Sequence, residues 1–425
     1  MKTNNKKSAV RITVSLLACS FLAVTAGCGV DDSDTSAHSA SAPTGPDAVI
    51  TSPLPRSKTP APSAALGVKA QAQKILDAMS LTERVGQTVM TPLNVATTSP
   101  ESVRGAFVDG KVGSVLFLGN WNGGTSRLKA ISDTLQGYAK AAGGKGGKLL
   151  VATDQEGGQV QHLQGAGFSR MPSAVWQGTQ SSTALRKFSA GWGSQLKSAG
   201  VNVNLAPVLG TVQTSTRASN APIGALNRDF GKSAAGNAAS GAAFIQGMRD
   251  AGVMTSVKHY PGLGAVTGNT DFTTHGILDT TTVIGGDQES AFVKVLNGSA
   301  GGSSGKPDMV MMSLATYSAI DAHNPAAFSH TLITDHLRGE LGFDGVVTSD
   351  SLSAAAVSGI PPNQLGVRFL EAGGDLVCVG APEIAQQILA GMQSTARDSV
   401  AFRKLVDASA LRVLALKISA GLVQA

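Results

Sequence analysis

The chain has 425 residues, 34 of them Lys or Arg and 28 Asp or Glu, giving a formal charge of +6, with only three cysteines. That length and a 42% hydrophobic share favour one large domain with a sizeable core over several small ones. The weak basicity makes nucleic acid an unexpected partner, and the cysteine count leaves no disulfide framework for the folded part.

The N-terminus opens on Lys2, Lys6, Lys7 and Arg11, followed by an apolar run from Ile12 to Ala26 and then Cys28. The run is shorter than the roughly 20 residues of a membrane-spanning helix, so residues 1–28 read as a secretory signal peptide. Its "TAGC" ending resembles a lipobox, which makes Cys28 the expected lipid attachment point and new N-terminus. Thr25 stands where that pattern usually has Leu. Cleavage there removes four basic residues and lowers the charge from +6 to +2. An exported protein anchored by lipid on the outer face of the membrane is expected, or a secreted one without the lipid. Cys19 leaves with the signal, so Cys378 stands alone in the folded body and a Cys-based metal site is excluded.

Residues 29–65 are rich in Ser, Thr, Pro, Ala and Asp with few large apolar groups. Such a segment cannot bury enough surface to offset its ordering entropy and reads as a disordered linker. The folded domain is expected over 66–425. Along it, apolar runs alternate with helical patterns: "GQTVM" (86–90), "GSVLFL" (113–118), "KLLVAT" (148–153), "VNVNLAP" (201–207), "VMTSVKHY" (253–260), "DMVMMSLA" (308–315), "GVVTSD" (345–350) and "DLVCVG" (375–380). Eight apolar strands separated by helices predict an α/β fold, a single (β/α)8 barrel, with a doubly wound open sheet as the alternative. Polar residues cluster at the ends of strands three, four, five and seven, in "DQEGG", "NLAP", "KHYPG" and "TSDS". In a barrel these ends converge on one mouth, where chemistry is placed.

"VATDQEGGQVQHL", "VNVNLAPVLG", "NRDFG", "VKHYPGLG" and "LRGELGFDGVVTSDSLS" resemble the successive motifs of glycoside hydrolase family 3. They are most similar to its single-barrel bacterial β-N-acetylglucosaminidases, since no α/β sandwich is expected after the eighth strand. The resemblance implies that Asp350 is the nucleophile that forms a covalent glycosyl-enzyme. An oxocarbenium-like transition state needs a fixed carboxylate under the anomeric carbon, and a short side chain on a strand end supplies one. Capping of a following helix is the structural alternative for Asp350. By the same resemblance Asp154, Lys258, His259 and Arg228 grip sugar hydroxyls, against turn, core and surface ion-pair roles. Gln159 and His162 replace two arginines of the family's "GGRVQR", so His162 reaches the sugar, if at all, without a guanidinium.

The loop "KHYPGLGAVTGNTDFTTH" departs from the family. Where relatives carry an Asp-Ser-His proton donor, an ungapped count places Asn269, Thr270 and Asp271. Asp271 is therefore expected in the general acid, with His275 as donor or substitute. "GLGAVTG" mimics a dinucleotide fingerprint, but its third glycine is one place late and no apolar helix start follows. The seven histidines show no i, i+4 pairing, so no metal and no cofactor are expected. The function implied is a monomeric, retaining exo-β-N-acetylglucosaminidase acting on GlcNAc-containing muropeptides or disaccharides from peptidoglycan. Two alternatives remain at this stage, a phosphorylase and a sugar-binding lipoprotein with impaired turnover.

Overall fold

Short β-branched and apolar runs satisfy their backbone groups only by pairing sideways, and all eight expected runs do so in parallel. The structure, a computed structural model, describes residues 62–423. The signal peptide, Cys28 and residues 29–61 of the expected linker lie outside the described residues. The first described helix, Pro62–Asp77, begins inside the stretch 29–65 read as a linker.

The strands are β1 (Val89–Asn94), β2 (Ser114–Leu118), β3 (Leu150–Thr153), β4 (Val203–Asn204), β5 (Met254–Tyr260), β6 (Met309–Met312), β7 (Val346–Ser349) and β8 (Val377–Cys378). They pair in chain order from β1 to β7, and β8 pairs with β1. A parallel bridge between Thr348 and Leu376 joins β7 to β8 and closes the ring into a (β/α)8 barrel rather than an open sheet. Asp375, fully buried, holds that seam. It accepts from the Val347 amide at 2.8 Å and pairs with Arg338 at 2.5 Å and Arg412 at 2.9 Å.

Helices such as Gly124–Ala141, Ser182–Ser198 and Ala234–Asp250 cover the outer face, each following its strand. The expected helix at "TLITDHLRGELG" is Thr331–Glu340, wound as a wide π-type turn. β4 is short because asparagine side chains replace part of its ladder. Asn202 Oδ1 accepts from Val151 N at 2.8 Å, and Asn204 Oδ1 accepts from Gln155 N at 3.0 Å. Leu116, Leu150, Ala152, Leu205, Met309, Met311 and Cys378 fill the interior as one apolar cluster, so the barrel is a packed core and not a pore. Among the described residues no helix is long and apolar enough to cross a membrane.

Lys417, on the last helix Val400–Ser419, is fully buried on neutral partners: Nζ donates to Gln87 Oε1 at 2.7 Å and to Gly146 O at 3.3 Å. Burial pushes its ammonium down to about 7, well below the ordinary lysine range. Between about pH 7 and about pH 10 the unfolded chain therefore holds a proton that the folded chain does not, and stability rises with pH there. Lys417→Met removes this contribution. The urea midpoint of the parent relative to the variant is expected to climb from about pH 7 to about pH 10, and a constant difference across that range would contradict the buried-amine account.

Candidate active site

The ends of β3, β5 and β7 bring the charged motifs together. Asp154 follows β3, and Glu156 comes two residues later in a tight hairpin, Gln155–Gly157 with Val160–Gln161. Gly157 turns that hairpin with φ +100°, and a Cβ there would run into the Pro172 carbonyl. Glu156 is the hub. It accepts both arms of the Arg228 guanidinium at 2.8 and 2.9 Å and faces Lys258 Nζ at 2.6 Å, while Lys258 also pairs with Asp154. Arg228 is aimed by the turn at Asn227, φ 54°, and by its neighbour Asp229, which is clamped to Arg217 at 2.6 Å.

Lys258 and His259, successive residues near the end of β5, both line the same cavity. The His259 Nε2 lies 3.8 Å from Asp350 Oδ2, and its buried Nδ1 has no partner among the described residues. Burial first, then the charges of Arg228 and Lys258, hold this imidazole well below its usual range and so neutral. Asp350 stands just past β7, where Oδ1 accepts from the Ser351 amide at 2.8 Å. No regular helix starts there. Only a short 3₁₀ turn, Ala355–Val357, follows, so the helix-cap reading of Asp350 does not apply.

Two cations, Lys258 and Arg228, face four carboxyl groups, Asp154, Glu156, Asp271 and Asp350. Burial alone would raise Glu156, but Arg228 and Lys258 outweigh it and hold Glu156 well below the carboxylate range. Lys258 is raised in turn, because Asp154 and Glu156 overcome its burial. The surplus negative charge falls on the other two acids. Burial, then the charge of Asp271, pushes Asp350 up to about 7. Asp271 is exposed at the rim as a residue but lines the cavity, where withdrawal from water raises its carboxyl against the pull of Arg228. The two carboxyls thus titrate as a pair that retains one proton near neutrality.

The loop carrying Asp271 is tied down at several points. Tyr317 Oη donates to Gly262 O at 2.7 Å, and the Asn220 amide donates to Leu263 O and Val266 O at 2.7 Å each. Gln288 Oε1 accepts from Gly264 N at 3.2 Å. Farther along, the Ala355 and Ala356 amides of the β7 loop donate to Asp271 O at 3.2 Å and Thr270 O at 3.0 Å. The nucleophile candidate and the acid candidate are therefore held by one connected backbone. Between them lies a cavity of about 360 Å³, floored by Leu116, Leu205, Met311 and Cys378 of the barrel core.

The sequence matches the glycosyl hydrolase family 3 N-terminal domain over residues 80–416. The chain belongs to that family. It is 31% identical over 315 residues to an uncharacterized secreted glycosyl hydrolase of Arthroderma benhamiae, covering 73% of this chain and 84% of the relative. It is 33% identical over 273 residues to a β-hexosaminidase of Stenotrophomonas maltophilia, covering 62% and 76%. The crystal structure of a β-N-acetylhexosaminidase from Beutenbergia cavernae superposes with a TM-score of 0.75 at 40% identity, over 81% of this chain and 99% of that one. The protein is a glycoside hydrolase, and its substrate is a carbohydrate.

Of the residues singled out from sequence, Asp154, His162, Arg228, Lys258, His259, Asp271 and Asp350 all line this one cavity. His162 sits with Nδ1 3.1 Å from Gly119 O, and Gln159 lines the wall beside it. His275 lies outside the lining, exposed, its ring 3.4 Å from the Thr274 hydroxyl. Sequence reading passed over Glu156, although its spacing of two from Asp154 on an extended strand end places both on one side. Glu156→Gln leaves Arg228 and Lys258 short of a buried counter-charge and is expected to cost about 3–5 kcal/mol in urea unfolding. Asp250→Asn, at the half-exposed pair with Arg186, is expected to cost under about 1 kcal/mol, and equal losses would refute the hub role.

Proposed function

We propose that the protein is a retaining, exo-acting β-N-acetylglucosaminidase that releases GlcNAc from cell-wall fragments. The observation that carries the reading is a pair of carboxyls facing one cavity closed below by the core, Asp350 on a barrel strand end and Asp271 on a loop bonded to the same β7 segment. The named activities of the Stenotrophomonas and Beutenbergia relatives support an N-acetylhexosaminide as substrate.

In this reading the terminal sugar enters the cavity with its hydroxyls on Asp154, Lys258, Arg228 and His259. The Asp350 carboxylate attacks the anomeric carbon while the Asp271 carboxyl gives its proton to the departing glycosidic oxygen, which leaves as an alcohol. Asp271, now anionic, takes a proton from water as that water attacks the glycosyl ester, freeing Asp350 and a product of retained β configuration. The productive form of the pair carries its proton on Asp271 and its charge on Asp350, and the Ser351 amide favours charge on Asp350. Asp271 is preferred over His275 as donor because His275 does not line the cavity.

Asp350→Asn is expected to fold normally and lose hydrolysis by several orders of magnitude. Asp271→Ala is expected to slow a GlcNAc disaccharide by roughly 10² to 10⁴ and a dinitrophenyl glycoside far less, since dinitrophenolate leaves without a proton. For the parent enzyme, kcat/KM on the disaccharide should fall as pH rises through about 7, where the pair loses its proton. NMR should show the β-anomer first, and free GlcNAc even in phosphate buffer. A first-formed α-anomer would refute retention, GlcNAc 1-phosphate would favour a phosphorylase, and no turnover would favour a binding lipoprotein.

We also propose that the protein is exported and held at the membrane by lipid on Cys28, the reading of "TAGC" that ends the apolar run. Cys28→Ser should then move it from the membrane fraction to the soluble one. Continued sedimentation of the processed variant with membranes would remove the lipid from the account.

A further inference from the structure

Among the described residues Phe272 is the most exposed large apolar side chain, 81% accessible, and it lines the mouth of the cavity directly beside Asp271. Its exposure does not come from a loose tip. The Phe272 amide donates to Asn269 O at 3.0 Å, the Asp271 amide donates to Asn269 Oδ1 at 3.0 Å, and the β7 loop holds the carbonyls of Thr270 and Asp271. A turn fixed on both sides presents a bare aromatic ring to solvent, an arrangement that gains free energy only when something apolar covers it.

The geometry points to Phe272 as the platform for the leaving-group sugar, the ring that carries the glycosidic oxygen. This rests on the reading of Asp271 as the proton donor. A donor must touch the glycosidic oxygen, so the side chain next to it on the outer side meets the group beyond that oxygen and not the sugar held in the cavity. A β-linked pyranose offers a flat face of C–H groups that an aromatic ring covers without needing matched hydrogen bonds. Phe272 thereby selects substrates whose leaving group is a sugar ring over those with a small alcohol. The cavity groups Asp154, Arg228, Lys258 and His259 read only the sugar being released.

The test compares two substrates that both need the proton, a β-1,4-linked GlcNAc disaccharide and methyl β-GlcNAc. Phe272→Ala should lower the ratio of kcat/KM for the disaccharide to that for the methyl glycoside by about tenfold or more, largely through KM. Phe272→Trp should keep the ratio near that of the parent. An equal loss on both substrates would mean that Phe272 only positions Asp271, and an unchanged ratio would mean that the ring does not touch the leaving group. Either result overturns the inference while leaving the glycosidase reading intact. If the parent cleaves neither substrate, that reading fails and takes this one with it.

Discussion

The site depends on a charge imbalance in a place with little water. Lys258 and Arg228 cannot neutralise Asp154, Glu156, Asp271 and Asp350 together. The two cations spend their attraction on the acids nearest to them, Glu156 above all, whose two oxygens are shared between the guanidinium and the ammonium. The remaining pair cannot both ionise cheaply near neutral pH. The raised carboxyls are therefore a consequence of where the counter-charges lie, not of any unusual side chain.

That imbalance is useful only if the groups stay in place, and the barrel supplies the rigidity. β3 and β5 carry the ion pairs and β7 the nucleophile candidate, on strands whose inner faces pack as one apolar cluster. Behind the site, the Tyr260 hydroxyl bonds Glu289, and His336 bridges Glu289 and Glu340 at 2.5 Å each, so the end of β5 is fixed from outside as well. The loop after β5 borrows order from its surroundings. Gly264 packs so close to the Thr211 carbonyl that any side chain there would collide with it, and the backbone of Thr270 and Asp271 leans on the loop after β7.

Much was legible in the chain alone. Eight apolar runs separated by helical patterns gave the number and order of strands, because hydrophobic periodicity is local and each run needs only its neighbours to pair. The residues at four strand ends were identifiable for the same reason: the barrel topology sends every such end to one mouth. The family resemblance came from ordered motifs, which also lie along the chain. Strand limits were less legible. β4 is two residues long because Asn202 and Asn204 trade backbone pairs for side-chain ones, and that trade is visible only across strands.

What the sequence by itself determined is the fold class, the family and most of the groups at the mouth, Glu156 excepted. Only the tertiary structure decided how those groups divide. Glu156 takes the cations, the Asp350 and Asp271 carboxyls are raised, His259 stays neutral, and His275, four residues from Asp271, does not line the cavity. The physical reason is that charge interactions and burial act through space. Asp154 and Lys258 are 104 positions apart in the chain yet form one ion pair, whereas Asp271 and His275 are close in the chain and serve different surroundings.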